Sequence, residues 1–137
     1  MNRKASEIKS KTNNTENDMQ KKDDFNTELK QLINRFVHKA YDITDAFPKS
    51  EVFGLTSQLK RASMSVALNY IEGYARKRRL VFKNSLETSY GSLKESAYII
   101  EFAYNRHYIS KEVCSETLSL TDRIGAMLWG IISKLSD

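Results

Sequence analysis

A chain of 137 residues has room for one compact domain, and 40% hydrophobic residues with a mean hydropathy of -0.55 fit a globular protein carrying a polar tail. One proline and five glycines leave too little turn chemistry for an all-β chain, so helices are expected. The formal net charge of +5 comes from one junction: residues 60–83 hold Lys60, Arg61, Arg76, Lys77, Arg78, Arg79 and Lys83 against Glu72 alone, whereas residues 84–137 carry five bases and seven acids.

A local basic patch attracts phosphate backbones or an acidic partner, and its bland reading is a solvated face that aids solubility. A single cysteine, Cys114, rules out an intramolecular disulfide and suits a reducing compartment. There is no apolar run long enough for a bilayer and no apolar signal-peptide core at the start, so the cytoplasm is the expected location and no membrane is involved.

Residues 1–24 contain only Ile8 and Met19 as larger apolar groups and are expected to form a disordered polar tail. From residue 25 the pattern changes. Phe25, Leu29, Leu32, Phe36 and Ile43, widened by Ile33, Val37 and Ala40, predict an amphipathic helix over 25–46 that Pro48 ends. The second helix is expected to start at Ser50 or Glu51, with Ser50 as N-cap, and to run to about Arg76. Its seam is Leu55, Leu59, Ala62, Val66, Asn69 and Gly73. A parallel stripe of Gln58, Ala62, Ser65, Asn69, Glu72 and Arg76 places polar groups on a face that packing should bury. Gln58, Arg61, Asn69, Glu72 and, from the third helix, Glu95 are therefore expected to form a structural polar network or a subunit contact.

The run Arg76-Lys77-Arg78-Arg79 then marks a tight turn, with Tyr70 and Tyr74 beside it as core aromatics or as platforms for an unpaired base. The third helix, about 80–105, presents Phe82, Leu86, Ser89, Leu93, Ala97, Ile100 and Tyr104 to the core, flanked by the small stripe Ser85, Ser89, Ser92 and Ser96. Residues Asn105 to Tyr108 turn the chain. The fourth helix opens on Ser110 as N-cap, with Val113, Thr117, Leu120, Ile124, Leu128, Ile131 and Leu135 inward and Met127 and Trp129 off that line. The expected fold is all-α: an antiparallel up-down-up-down four-helix bundle over 25–137 behind the tail at 1–24.

The ordered set Phe47-Pro48, Glu51, Leu55, Gln58-Leu59-Lys60-Arg61-Ala62, Ser65-Val66, Asn69, Glu72-Gly73, Arg76, then Phe82, Leu86, Gly91-Ser92-Leu93 and Glu95, resembles the bacterial four-helix-bundle family of 23S rRNA intervening-sequence proteins. The likeness covers about residues 25–135. It departs from the family in reading Tyr70-Ile71 where Ile-Ala is common, and in lacking a proline often found one turn earlier, where Ala67-Leu68 stand. The resemblance implies a four-helix bundle assembling as a homopentamer, with a basic surface for nucleic acid. A related branch serves diversity-generating retroelements, binding a reverse transcriptase and RNA.

No residue set has the spacing of a catalytic centre, and neither an enzyme activity nor a cofactor is expected. His38 and His107 lie apart, without carboxylate or cysteine at ligand spacing; Cys114, near a helix start, is expected to have a somewhat lowered pKa but has no base. Glu72 and Glu95 are expected to pair with Arg61 or with backbone donors. The leading reading is a non-catalytic RNA-binding oligomer in which Arg76, Lys77, Arg78, Arg79, Lys83 and Lys60 contact phosphates. The alternative is an interaction scaffold whose basic patch docks an acidic protein such as a reverse transcriptase.

Overall fold

The computed structural model describes residues 2–135; Met1 and the last two residues of the span expected to close the bundle lie outside them. Four helices follow one another: α1 (Arg3–Thr44), α2 (Leu55–Ala75), α3 (Arg79–Asn105) and α4 (Lys111–Leu135), with a single 3₁₀ turn at Lys49–Glu51. Among the described residues there is no strand, and no helix is long and apolar enough to cross a membrane. The chain divides into two compact units, residues 1–31 and 32–137.

The first unit corrects an expectation. Residues 3–24, read as disordered, are helical and continuous with the rest of α1, with every residue from Asn2 to Asp24 exposed. The reasons are local. No glycine or proline occurs before Pro48, and Lys, Glu, Gln and Met favour helix. The hydroxyls that compete with helical geometry bond back to it: Thr15 Oγ1 donates to the Lys11 carbonyl at 2.6 Å and Ser10 Oγ to the Glu7 carbonyl at 2.9 Å, while the Gln20 amide donates through Nε2 to Asp24 Oδ1 one turn on at 3.0 Å.

The second unit is the bundle. Ile33, Phe36, Ala40 and Ile43 of α1, Leu59, Ala62, Val66 and Tyr70 of α2, Leu86, Leu93, Ile99 and Ile100 of α3, and Leu120, Ile124, Leu128 and Ile132 of α4 form its core. Helices α2 and α3 run antiparallel. Contacts climb one helix as they descend the other, from Ser65 against Ser92, through Val66 against Ser89, to Gly73 against Phe82 and Ser85. The small stripe makes this seam close. Ser89 Oγ donates to the Val66 carbonyl at 2.7 Å, and Ser65 and Ser92 share a hydroxyl bond of 2.8 Å. Helices α3 and α4 are antiparallel by the same logic, with Gly125 beneath Leu93 and Tyr90, then Tyr90 against Trp129 at 5.6 Å between ring centroids, and Arg79 against Lys134 at the far end.

The α2 start differs from expectation. Ser50 does not cap it; after the 3₁₀ turn, Glu51 does, its Oε2 accepting from the Leu55 N–H at 3.0 Å. The same carboxylate accepts from the Tyr108 hydroxyl at 3.3 Å, tying the α3–α4 turn to the α2 entrance. Glu51→Ala is expected to cost about 1–2 kcal/mol, measured by urea denaturation, because it removes a cap and leaves a half-buried hydroxyl short of an acceptor. Tyr108→Phe should cost less, and the two changes together less than their sum. At the other turn residue, His107 takes the left-handed conformation (φ 63°), and the Tyr108 N–H closes on the Ala103 carbonyl at 2.9 Å, an ending that usually employs glycine. Ser110 caps α4 as its sequence suggests, accepting from the Val113 N–H at 3.2 Å.

Candidate nucleic-acid interface

The basic run sits where α2 stops and α3 starts. Helix α2 ends at Ala75, and in its last turn the buried Gly73 lets it lie directly on α3: a Cβ there would stand 3.3 Å from both Phe82 Cδ2 and Ser85 Cβ. Arg76 and Arg78 then take extended backbone (φ -93°, ψ 135° and φ -82°, ψ 125°), and α3 begins at Arg79. In an extended segment successive side chains point to opposite sides, so consecutive cations spread instead of stacking on one face. Arg76, Lys77, Arg78 and Arg79 are all exposed.

Their environments differ. Arg76 Nη2 pairs with Glu72 Oε1 one turn earlier at 3.2 Å, both groups more than half exposed, an arrangement worth little in water. Arg79 Nη2 donates to the Lys134 carbonyl in the last turn of α4 at 3.4 Å. Lys83 stands 4.0 Å from Glu87. The ammonium of Lys77 and the guanidinium of Arg78 project into solvent. Lys134 of α4 comes to the same end through the Arg79 contact.

Lys60 does not join this group. Sixteen residues before Arg76 on the same helix, at about 1.5 Å rise per residue, it lies roughly 24 Å away along the axis. There its ammonium rests over the Tyr41 ring, 5.1 Å from the centroid. The cations brought together at this end are therefore Arg76, Lys77, Arg78, Arg79 and Lys83.

The polar network is also redrawn. Gln58, Arg61, Glu72 and Glu95 are exposed, and Glu72 pairs with Arg76 and not with Arg61. Only Asn69 is half-buried, its Nδ2 donating to the Ser65 carbonyl and hydroxyl at 2.9 and 3.0 Å. The serines, not the longer polar residues, bridge α2 to α3. Arg61, Asn69 and Glu72 instead line an open groove of about 820 Å³ together with Lys60, Met64 and Leu68. Exposed apolar groups crowd this face of α2: Phe53 is 97% exposed, and Leu68 and Ile71 more than half. Sequence periodicity missed Phe53, which lies in the loop before α2 and outside any helical stripe.

Behind the basic turn stands an aromatic cluster. Tyr74 contacts Tyr70 at 4.9 Å between centroids and meets Phe82 edge-on at 4.8 Å. Tyr70 is buried and Tyr74 partly open, so Tyr74 is the one placed for stacking. Burial pushes both phenols above the ordinary value near 10, and for Tyr70 the neighbouring Tyr74 adds to the rise. Unfolded chains would release these protons at lower pH than the folded protein does. The stabilisation from the pair is thus complete below about pH 10 and lost as pH rises further. A spectrophotometric titration is expected to show two of the seven tyrosines ionising late and together with alkaline unfolding.

Cys114 is buried, and its thiol is raised by that burial and by nearby Glu101, so the lowered value expected from its place near a helix start is overturned by desolvation. His38 lines a groove with Arg35, Lys39 and Asp42, whereas His107 lies in the turn after α3. Tyr104, expected inward, is exposed because Ala103 and Ile100 take the core positions.

The model of the 23S rRNA-intervening sequence protein family matches residues 25–130. The chain belongs to this family. The matched span includes the basic turn and the α2–α3 seam and leaves out nearly all of the exposed N-terminal part of α1. A crystal structure of a protein of unknown function from the S23 ribosomal protein family of Bacteroides thetaiotaomicron is similar, with a TM-score of 0.71 and 21% identity over 76% of this chain and 97% of that one. At that identity the likeness is one of fold. No curated protein matches the chain.

Proposed function

We propose that this family member is a non-catalytic, cytoplasmic RNA-binding protein that holds phosphates at the α2–α3 turn and works as a homo-oligomer, a pentamer by family likeness. One observation carries the reading: five cations stand among eight successive residues without an acid, and the extended backbone at their centre splays them into solvent. Arginine supplies a planar pair of donors that matches a phosphate, and Tyr74 offers an adjacent ring to an unpaired base. One such turn is a weak site. Repeating it around an oligomer raises the effective concentration of cations without any new contact. The exposed apolar and polar groups from Phe53, in the loop before α2, through Leu68 to Glu72 support that face as the subunit contact.

The test is RNA affinity of the purified protein against salt, with mass by light scattering in the same buffers. Binding to structured RNA that weakens steeply with salt, on a defined oligomer, supports the proposal. An intact oligomer with no affinity at low salt overturns it. Co-purification of an acidic protein, such as a reverse transcriptase, that survives nuclease treatment would transfer the turn to protein docking.

A further inference from the structure

The exposed helix ahead of the family span has a pattern that its polarity conceals. Ala5, Ile8, Thr12, Thr15, Met19 and Lys22 follow one another at alternating spacings of three and four, and the same spacing continues through Asn26 to Leu29, which is buried. In heptad terms Ile8, Thr15 and Lys22 take d, and Ala5, Thr12 and Met19 take a. Ile8 and Met19 are each 62% exposed. A helix with this seam and no cover on it is half of a pair.

The charges say what the other half is. Residues 3–11 hold Arg3, Lys4, Lys9 and Lys11 against Glu7, whereas residues 12–24 hold Glu16, Asp18, Asp23 and Asp24 against Lys21 and Lys22. The segment is basic first and acidic second, so it complements itself when reversed. We infer that residues 3–24 pair with the same segment of a second copy as an antiparallel two-stranded coiled coil whose two-fold axis passes between Asn13 and Asn14. The register follows from the seam. Ile8 lies against Met19 of the second copy, Thr12 against its Thr15, and Ala5 against its Lys22 stem, each an a position facing a d.

Flanking positions settle the direction. Reversing one helix brings g beside g and e beside e, which sets Lys11 against Asp18 and Lys9 against Glu16, each twice by symmetry. A parallel pair joins g to the following e instead, setting Lys4 against Lys9 and Asp18 against Asp23, two repulsions for the single attraction of Lys11 with Glu16. Like charges reject the parallel form, and opposite charges select the antiparallel one. This pairing uses residues outside the basic turn and is independent of RNA binding.

Disulfide trapping in the full-length protein tests it, with buried Cys114 left in place. Ile8→Cys chains mixed with Met19→Cys chains in a thiol redox buffer should give a disulfide-linked heterodimer, and each variant alone should give almost none. Adding Lys9→Glu and Lys11→Glu to both chains should cut the yield about tenfold, because all four ion pairs become repulsions. Placing those two reversals on the Ile8→Cys chain and Glu16→Lys with Asp18→Lys on the Met19→Cys chain should restore it. Self-linking of Ile8→Cys would mean a parallel pair and overturn the register. Equal yields with and without the charge reversals, or no link in the mixture, would overturn the pairing itself.

Discussion

Replacing Arg76, Arg78 and Arg79 together with serine is expected to lower RNA affinity about a hundredfold near 0.1 M salt and to flatten the dependence of log affinity on log salt by roughly two to three. The size follows from counterion release, in which each phosphate neutralised contributes somewhat less than one to the slope. The same variant should keep its fold, because all three side chains are exposed and the Arg76–Glu72 pair is solvated. Circular dichroism and light scattering provide that control. A Lys60→Ser variant is the internal contrast: its ammonium sits over Tyr41 on a distant part of α2, and its loss should leave the slope nearly unchanged. If the triple variant binds RNA as wild type does, the turn is a solvated charge run and not a site.

Gly73→Leu is expected to destabilise the bundle by about 2–3 kcal/mol, enough to lower Tm by roughly 10 °C or more in a domain of this size. The first added carbon already meets Phe82 and Ser85 at 3.3 Å, and the remaining three have nowhere to go on a seam closed by serines. Gly91→Leu serves as the comparison, because a Cβ there meets nothing within 4 Å. That change should be neutral or slightly stabilising through helix propensity, giving opposite outcomes for glycines on neighbouring helices. Equal melting curves for the two variants would show that α2 and α3 do not approach as closely as described.

Much of this fold could be read from apolar spacing. The Ile33, Phe36, Ala40 and Ile43 stripe, the α2 seam through Leu59, Ala62, Val66 and Gly73, and the serine face of α3 all lie where periodicity put them. The basic turn was legible too, since a glycine and four successive cations can hardly continue a packed helix. What failed was phase on α2. Gln58, Arg61 and Glu72 flank the seam, and a heptad pattern does not tell which flank a neighbouring helix covers. The cap on α2 was missed because Glu51 reaches it from the end of a 3₁₀ turn, a geometry that the sequence does not announce. The N-terminal segment was misread for a different reason. Low hydrophobicity argues that a segment has no core of its own, but it says nothing against a helix free of glycine and proline, whose hydroxyls bond back to its backbone and which has a long helix to continue.

The tie between Arg79 and the last turn of α4 has a consequence for how firmly this end of the molecule can hold anything. Helices α2 and α4 both finish at the basic turn and α3 starts there, so the carbonyls of two final turns outweigh the amides of one first turn and leave a partial negative charge. Arg76 and Arg79 already answer it, each worth about 0.3–1 kcal/mol at a helix C-terminus. An incoming anion therefore competes with the protein for its own cations. Drawing Arg79 off the Lys134 carbonyl offsets part of what the anion contact contributes, so this turn holds an anion less firmly than the same cations would if no helix end engaged them.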